Sequence, residues 1–509
     1  MCKHSKIIAL LLFVTTCAFA NWTGSTSEPA NMKKIDGKSF YVITSADELA
    51  WFAAKVNSGS TDINAVLGND IVFGKDEKTR GTVSWTPIGK EYFYGVFDGA
   101  GYTIYGLYIS TGTRCQENDL CAGLISRLGK GGVVKNVIMD KGEITVAQSS
   151  KSESFVGAIA GFSNGTIQNT ENRNSITVID SSLGTLYVGG IAGAGPTGTI
   201  ANSKNSGRIR VKAKTSYSGG IVGYNSGKID NCNNQGFVWS TDTTRKTLST
   251  TEKVSEYVSL FSGGIAGENW SIISNSRNNG VVLSEAYVYV TSAGGGEVST
   301  DVESYSGGIT GSNRGLVFKC YNEIEIYSKS SSVAVSGTSV STSESSKPSI
   351  AGSASTKSIS YSYSGGIGGY NEGTISNCYS DNAGKSSATG NAYYVISGNR
   401  SQSLGADIKS FDGGIVGQNV IREVQKAPII KQSIGLTTLK LQEQPKICKK
   451  TNLHGFSTLV MEQKKIVVLG LAELMVIQHL QMKILLLFTR LFLMMMVQLP
   501  IATRITRAW

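Results

Sequence analysis

The sequence predicts an all-β fold, a β-helix or solenoid of about eight coils with a small N-terminal cap that contains one α-helix. Three observations support it: a glycine-rich phrase that returns eight times, 60 glycines against 7 prolines in 509 residues, and alternating apolar residues within each copy. Glycine supplies tight corners, and alternation gives each short strand one inward face. Longer intervals between some copies predict strand hairpins inserted into the coils and stacked along one side.

The repeated phrase is clearest at 218–225, which reads S-G-G-I-V-G-Y-N. The second residue of each opening pair stands at positions 124, 158, 190, 220, 264, 308, 366 and 414, so the successive intervals are 34, 32, 30, 44, 44, 58 and 48 residues. An interval near 30 residues fits one coil, and the longer intervals fit a coil with an insertion. Stacked coils bury a continuous core that no single copy could form.

One column of the predicted stack is asparagine, five residues after the second glycine. Its members are Asn225, Asn269, Asn313, Asn371 and Asn419. Asparagine repeated at a turn typically forms a ladder in which each side-chain amide bonds its own or the next coil. We therefore predict a structural role, with ligand binding as the alternative.

Cysteines occupy two kinds of position. Cys232, Cys320 and Cys378 lie twelve residues after the second glycine, where other copies carry serine or threonine. Such a column of small residues predicts an inward site in which cysteine packs as a small hydrophobe. Only cysteines in adjacent coils, Cys320 and Cys378, are close enough to form a disulfide. Because each coil offers at most one cysteine sulfur as a ligand, no metal site is predicted in this column. Cys115 and Cys121 bracket a short loop before the repeats and are the predicted disulfide.

Residues 21–112 form the predicted N-terminal cap, and residues 113–419 the repeat region. The cap contains a capping-box pattern from Ser45 to Glu48, which is followed at helical spacing by Leu49, Phe52, Ala53 and Val56. We predict that this helix covers the open end of the solenoid, which terminal repeats must do.

The insertions all open at the same point of a unit, before the next Ser-Gly-Gly. They cover about 239–260, 283–304, 328–362 and 385–410. Several read as strand–turn–strand, which predicts an arm or fin of stacked hairpins; the serine-rich stretch 328–362 could instead be a disordered loop. Insertions on one face of a solenoid commonly form its binding face. Four tyrosines are therefore candidate ligand contacts, with cross-strand packing as the alternative: Tyr287, Tyr289, Tyr393 and Tyr394.

Residues 1–20 read as a secretory signal peptide. Lys3 and Lys6 precede a short apolar stretch, and Ala18 to Ala20 form a small-x-small cleavage site. A retained anchor is the alternative, although the apolar stretch is too short to span a bilayer. The mature chain is expected to begin near Asn21, in an oxidising compartment.

The tail 420–509 departs from the repeat design. It has no Tyr and no Asp, yet it holds six of the nine Met. Three explanations are open: a shifted reading frame, a membrane anchor in the apolar run 484–502, and an unstructured natural tail. The genetic code favours the first, because codons for Val460, Met461 and Glu462 read from their third base permit Asn-Gly-Thr, which suits the repeat. Membrane association is expected only if the run 484–502 is genuine.

The formal charge of +11 does not belong to the solenoid. The leader contributes +2 and the tail +9, and residues 21–419 hold 33 basic and 33 acidic residues. This balance removes the electrostatic case for nucleic acid as a partner. The same region has no histidine, so imidazole catalysis is excluded there. We predict no catalytic residues, no metal and no cofactor.

The phrase resembles the GLUG motif, a Gly-Leu/Ile-x-Gly repeat of secreted bacterial proteins, over roughly 90–419. Such proteins include adhesin-like surface proteins and the region that precedes some zinc peptidases that cut immunoglobulin A. The resemblance implies a β-helical surface module with structural glycines and supplies no catalytic set. The peptidase itself would need an H-E-x-x-H helix, and the sequence contains no His-Glu pair.

The expected function is that of a secreted or cell-surface, non-enzymatic repeat protein, adhesin-like, that presents an extended binding surface to a glycan, host or matrix partner. One alternative is a carbohydrate-active β-helix enzyme, which needs two or three clustered carboxylates. The acids Asp230, Glu268, Glu323 and Glu372 fall in different columns. A second alternative is a structural spacer for a lost C-terminal module.

Overall fold

The computed structural model describes residues 21–116, 119–148, 152–180, 184–249, 252–293, 296–337, 356–396, 399–402 and 406–419. The predicted signal peptide and the tail 420–509 lie outside the described residues. Within the described part, the chain winds through five mainly parallel sheets, and each full coil gives one strand to each sheet in turn. We number the sheets 1 to 5 in the order in which a coil enters them.

Sheet 1 holds the strand of the repeated phrase. Its strands are Ile125–Leu128, Ala160–Ser163, Ala192–Gly195, Val222–Asn225, Ala266–Asn269, Thr310–Asn313, Gly368–Asn371 and Val416–Asn419. Sheet 2 follows and extends into the cap. Its strands are Met32–Ile35, Lys38–Ile43, Asn64–Leu67, Val96–Asp98, Val133–Lys135, Thr166–Gln168, Thr199–Ala201, Lys228–Asp230, Ile272–Ser274, Leu316–Phe318 and Thr374–Ser376.

Sheet 3 is made of the shortest strands. They are Ile71–Val72, Thr103–Tyr105, Ile138–Asp140, Glu171–Asn172, Lys204–Asn205, Asn233–Asn234, Arg277–Asn278, Tyr321–Asn322 and Tyr379–Ser380. Sheets 4 and 5 lengthen along the chain. Sheet 4 contains Tyr108–Ile109, Glu143–Gln148, Ser175–Asp180, Ile209–Lys212, Val238–Leu248, Val282–Ser292, Ile326–Gly337, Gly384–Ile396 and Asn399–Gln402. Sheet 5 contains Thr113–Gln116, Asp119–Ala122, Ser154–Gly157, Thr185–Gly189, Thr215–Gly219, Val254–Gly263, Val298–Gly307, Thr356–Gly365 and Ala406–Gly413.

Equivalent residues of successive coils stack in register, so the sequence columns become physical columns. Asn225 pairs with Asn269, and Asn269 pairs with Asn313. The isoleucine of the repeated phrase is fully buried in five successive coils, at Ile191, Ile221, Ile265, Ile309 and Ile367. Burial of such aliphatic columns supplies the main driving force for folding. The eight strands of sheet 1 confirm the predicted all-β solenoid of about eight coils.

The glycine pair turns the chain between sheets 5 and 1. At Gly264 a Cβ atom would lie 2.1 Å from the carbonyl oxygen of Gly308 in the next coil. No side chain fits at that distance, so the second glycine of the pair is required by close backbone approach between coils.

The cap contains the predicted helix, Ala46–Asn57. The Ser45 hydroxyl accepts a hydrogen bond from the Glu48 amide at 3.2 Å, and the Glu48 carboxylate accepts from the Thr44 amide and hydroxyl. Phe52, on the buried face of the helix, packs at 6.0 Å between ring centroids against Phe93. Strands of the cap pair directly with those of the first coil, since Val96–Asp98 lies beside Val133–Lys135.

The insertions form the predicted stack of hairpins, which we call the fin. It consists of Val238–Leu248, Val282–Ser292, Ile326–Gly337 and Gly384–Ile396 of sheet 4 with Val254–Gly263, Val298–Gly307, Thr356–Gly365 and Ala406–Gly413 of sheet 5. The fin strands pair in parallel with the equivalent strands of neighbouring coils. Gly384–Ile396 also pairs antiparallel with Asn399–Gln402, which follows it in the chain. The two sheets then pack face to face. Part of the serine-rich stretch, 338–355, lies outside the described residues, and the flanking segments are strands.

The interior of the fin is partly apolar and partly serine. The apolar part is the cluster Val258, Leu260, Ala286, Val288, Val290, Val298, Val302 and Ala334. Elsewhere, hydroxyls bond across the two sheets: Ser304 donates to Ser284 at 2.8 Å, and Ser328 donates to Ser304 at 2.9 Å. Because buried hydroxyls are costly without partners, these pairs let a serine-rich segment form a dry interior.

Charged side chains close the fin on the side of the preceding coils, where sheet 4 shortens to Ile209–Lys212. The Glu256 carboxylate, 5% exposed, forms ion pairs with Lys214 and Lys246. Asp242 is buried beside them and accepts a hydrogen bond from Thr244 at 2.7 Å. Inward charge at a sheet edge opposes pairing with another strand.

Candidate functional site

The asparagine column forms a continuous chain of amide hydrogen bonds along the solenoid. Asn225 donates to Asn269 at 2.7 Å, Asn269 donates to Asn313 at 2.8 Å, and the chain continues through Asn371 to Asn419. Asn269 also donates to the Ser271 carbonyl at 3.1 Å, which holds the corner between sheets 1 and 2. The amides of Asn269, Asn313 and Asn371 each accept from the preceding coil and donate to the next.

A second ladder was missed by the sequence reasoning, although its signal is visible two residues after the cysteine column. It runs through Asn172, Asn205, Asn234, Asn278 and Asn322, with donor–acceptor distances of 2.8 Å at each step. Asparagine also occupies most of the left-handed corners between sheets 2 and 3, for example Asn231 with φ 51°. Asparagine tolerates that conformation better than other residues with a Cβ.

The cysteine column lies inside the stack. Cys232 and Cys320 are buried, Cys378 is half-buried, and all three are free thiols. Burial raises the pKa of Cys232 to about 12, so its thiol stays protonated and unreactive at neutral pH. Cys320 and Cys378 occupy adjacent coils, and the Cys320 amide donates to the Cys378 sulfur at 3.3 Å.

Cys115 and Cys121 are joined by a disulfide in this structure, with their Cα atoms 5.7 Å apart. The bond closes the first, antiparallel turn of sheet 5, where Thr113 pairs with Cys121. The disulfide therefore lies at the start of sheet 5.

The outer face of sheet 5 carries a stack of aromatic rings that the sequence reasoning did not identify. Its members are Phe155, Tyr187, Tyr217, Phe261, Tyr305, Tyr363 and Phe411. Centroid distances are 4.7 to 5.3 Å and interplanar angles are 8° or less. Since each ring covers the face of the next, only ring edges meet solvent. The signal was the aromatic residue two positions before the glycine pair.

The predicted ligand tyrosines divide into two groups. Tyr287 and Tyr289 lie on the outer face of sheet 4 in the fin, with Lys329 at 5.2 Å from the first ring centroid and Arg245 at 5.1 Å from the second. Tyr289 is 37% exposed. Tyr393 and Tyr394 belong to the strand Gly384–Ile396 and pair by backbone register with Val335 and Ser336; their side chains lie outside the described residues.

Two carboxyls near the aromatic stack have a raised pKa: Glu268 on sheet 1 and Glu303 on sheet 5. Burial raises the pKa of Glu268, against opposing contributions from Trp270 and Arg314. Burial and the nearby Asp301 raise the pKa of Glu303, which accepts a hydrogen bond from the Tyr257 hydroxyl at 3.3 Å. Within the described ranges, no three His, Cys, Asp or Glu side chains are arranged to hold a metal ion.

Trp270 stands in the corner after the strand Ala266–Asn269. The Arg314 guanidinium lies 4.7 Å from the centre of its ring. Arg314 forms ion pairs with Glu268 and, at 3.2 Å, with Glu372. These residues come from three successive coils. The repeat spacing places Trp270, Arg314 and Glu372 in one column. The ion pair between Arg314 and Glu268 is visible only in the structure.

Comparison with known proteins gives one short similarity. The chain is 29% identical over 148 residues to Halomucin of Haloquadratum walsbyi, a match that covers 28% of this chain and 1% of Halomucin. No family model matches the chain, and no solved structure matches it. Among the described residues, no helix is both long enough and apolar enough to cross a membrane. The stacked parallel sheets identify the chain as a repeat protein of the β-solenoid type.

Proposed function

We propose that this is a secreted or cell-surface repeat protein that presents an extended, non-enzymatic, adhesin-like surface to a glycan or an extracellular protein. The fin is the observation that carries the proposal. In earlier coils both strands are short, and the chain passes directly from one to the other. An example is Ile209–Lys212 of sheet 4, which is followed by Thr215–Gly219 of sheet 5. The later hairpins are therefore not needed to close a coil, and they add two stacked outer faces to the molecule.

Three further observations support the location and the class. The disulfide between Cys115 and Cys121 suits an oxidising compartment. The leader reads as a signal peptide, and the repeated phrase resembles GLUG repeats of secreted bacterial proteins. The similarity to Halomucin over 148 residues supports an extracellular repeat protein.

The test is a binding screen of the full chain against immobilised glycans and matrix proteins. We expect at least one ligand to bind, and the double substitution of Tyr287→Ser with Tyr289→Ser to weaken a fin-directed ligand by roughly tenfold. Tyr102→Ser is the matched control, because Tyr102 in the cap is exposed to the same 37% as Tyr289. A chain that binds none of these ligands would contradict the proposal and favour a structural spacer.

A carbohydrate-active enzyme is the second candidate, because Glu268 and Glu303 both have raised pKa and both lie near Tyr217. A carboxyl with raised pKa is suited to general acid catalysis. Depolymerisation assays on the same glycans test it. Product release that is lost in both Glu303→Gln and Glu268→Gln would establish the enzyme and overturn the adhesin.

A further inference from the structure

Trp270 is the most exposed tryptophan of the described solenoid coils and is held unusually firmly for a surface side chain. It is 49% exposed. Its amide donates to the Asn225 carbonyl at 2.8 Å, and the following amide, of Ser271, bonds the ladder residue Asn269. The backbone at this corner is thus fixed by the solenoid itself.

The indole ring is fixed as well. Arg314 lies across one face of the ring, with its guanidinium 4.7 Å from the ring centroid. Arg314 is in turn held between Glu268 and Glu372. A surface aromatic that is already ordered loses little conformational entropy when a ligand stacks on it.

The opposite face of the ring points toward the preceding coil. Asn225 pairs with Asn269 and Lys228 pairs with Ile272, so Ser226 stands opposite Trp270. The serine side chain is too short to cover an indole. This contrasts with the aromatic stack of sheet 5, in which each ring face is covered by the next ring.

Polar residues of the preceding coil lie at neighbouring register positions. Tyr224 pairs with Glu268, and Lys228, which forms an ion pair with Asp230 at 3.4 Å, pairs with Ile272. Ile272 follows Trp270 by two residues and is 40% exposed. A pyranose ring is complementary to such a surface, because it has C–H groups on its faces and hydroxyls around its rim. Apolar surface with a few placed polar groups is the usual composition of a small-molecule site.

We propose that the uncovered face of Trp270 is a saccharide-binding platform on which one sugar ring of a neutral glycan stacks. Ser226, Tyr224 and Lys228 of the preceding coil supply hydrogen bonds to the sugar hydroxyls. Arg314 and Glu268 act as positioning residues that hold the indole. This inference rests on the proposed function and names a ligand class for it.

The test measures binding of cellohexaose, laminarihexaose, chitohexaose and mannohexaose to the full chain by calorimetry. We expect Trp270→Ala to weaken binding by roughly tenfold or more. Ser226→Arg is expected to do the same with Trp270 intact, because a second guanidinium would cover the uncovered face. Tyr379→Ala, a control at 47% exposure on sheet 3, is expected to bind within about twofold of the parent chain.

Three results overturn the platform. Saccharide binding that is unchanged in both Trp270→Ala and Ser226→Arg places the sugar elsewhere. Binding of fibronectin or collagen without binding of any of the four saccharides rejects the ligand class and leaves the proposed function standing. If neither saccharides nor these proteins bind, both proposals fail. Equal melting temperatures for Ser226→Arg and the parent chain show that a loss of affinity arises at the site.

Discussion

At the scale of single residues, buried asparagine side chains join successive coils of the solenoid through hydrogen bonds. Asn269 is fully buried and engages both neighbours of its ladder together with Ser271. A ladder residue cannot be replaced by an apolar one without leaving its neighbours' polar atoms unpaired. The free energy lost therefore exceeds that of one hydrogen bond.

We expect Asn269→Ala to lower the free energy of unfolding by roughly 2 to 4 kcal/mol, because polar atoms of Asn225 and Asn313 would lose their partner. Urea unfolding followed by circular dichroism measures it. Asn164→Ala is the control, since Asn164 makes one exposed hydrogen bond, from Thr197. Equal losses in the two variants would contradict a structural role for the ladder.

Asp242 makes the stability of the fin depend on pH. Burial raises the pKa of its carboxyl, against opposing contributions from Thr244, Lys214 and Lys212, and the carboxylate of Glu256 also raises it. A carboxyl whose pKa is higher in the folded state favours folding most when it is protonated. Its contribution to stability is thus present at low pH and lost as pH rises through the raised pKa.

Asp242→Asn is accordingly expected to melt at a higher temperature than the parent chain at pH 7, because the amide keeps the acceptor for Thr244 without a buried charge. The difference should shrink as pH falls through the raised pKa. Calorimetric melting between pH 4 and pH 8, a range set by the ordinary carboxyl pKa values, measures it. A difference that does not vary with pH would argue against this explanation.

At the scale of elements, the fin shows how a serine-rich hairpin becomes a packed structure. Its strands pair with equivalents in neighbouring coils, so every strand is part of a parallel sheet, and hydroxyls meet across the two sheets. The Ser330 and Ser360 hydroxyls are 2.9 Å apart and both residues are fully buried. The sequence left disorder open for 328–362 as an alternative to hairpin strands, and packing between coils decided the described part of it.

A double-mutant cycle on this pair is the corresponding prediction. Ser330→Ala and Ser360→Ala should each lower the free energy of unfolding by about 1 kcal/mol, because each leaves the other hydroxyl unpaired. The double variant should lose less than the sum, by a coupling of about 1 kcal/mol. Strictly additive losses would show that the hydroxyl pair contributes nothing.

At the scale of the whole molecule, the repeat design and the tail follow different rules. The design continues in register to Asn419, which accepts from Asn371 at 2.8 Å. The tail has a charge of +9, and the region 21–419 is neutral. The composition therefore differs between the segments before and after Asn419. This difference favours a shifted reading frame over a natural continuation of the repeats.

Resequencing the gene around the codon for Asn419 tests this prediction. We expect an inserted or deleted base there, with the restored frame encoding further glycine-rich repeats. An intact frame relative to the source DNA would contradict the shift. In that case the apolar run 484–502 should be tested as an anchor, by asking whether the full chain fractionates with membranes while the chain truncated after Asn419 does not.

The amino-acid sequence by itself determined the coil number, the cap helix, the stacking of the hairpins and the position of the asparagine column. It could do so because in-register stacking turns each repeated sequence position into a column. Only the tertiary structure decided which columns meet across sheets. It joined Glu268 to Arg314, paired the serines of sheets 4 and 5, stacked the aromatic rings of sheet 5 face to face and left Trp270 half exposed beside Arg314. Repeat spacing orders residues along the solenoid axis, and distances across the coil depend on how its five sheets pack.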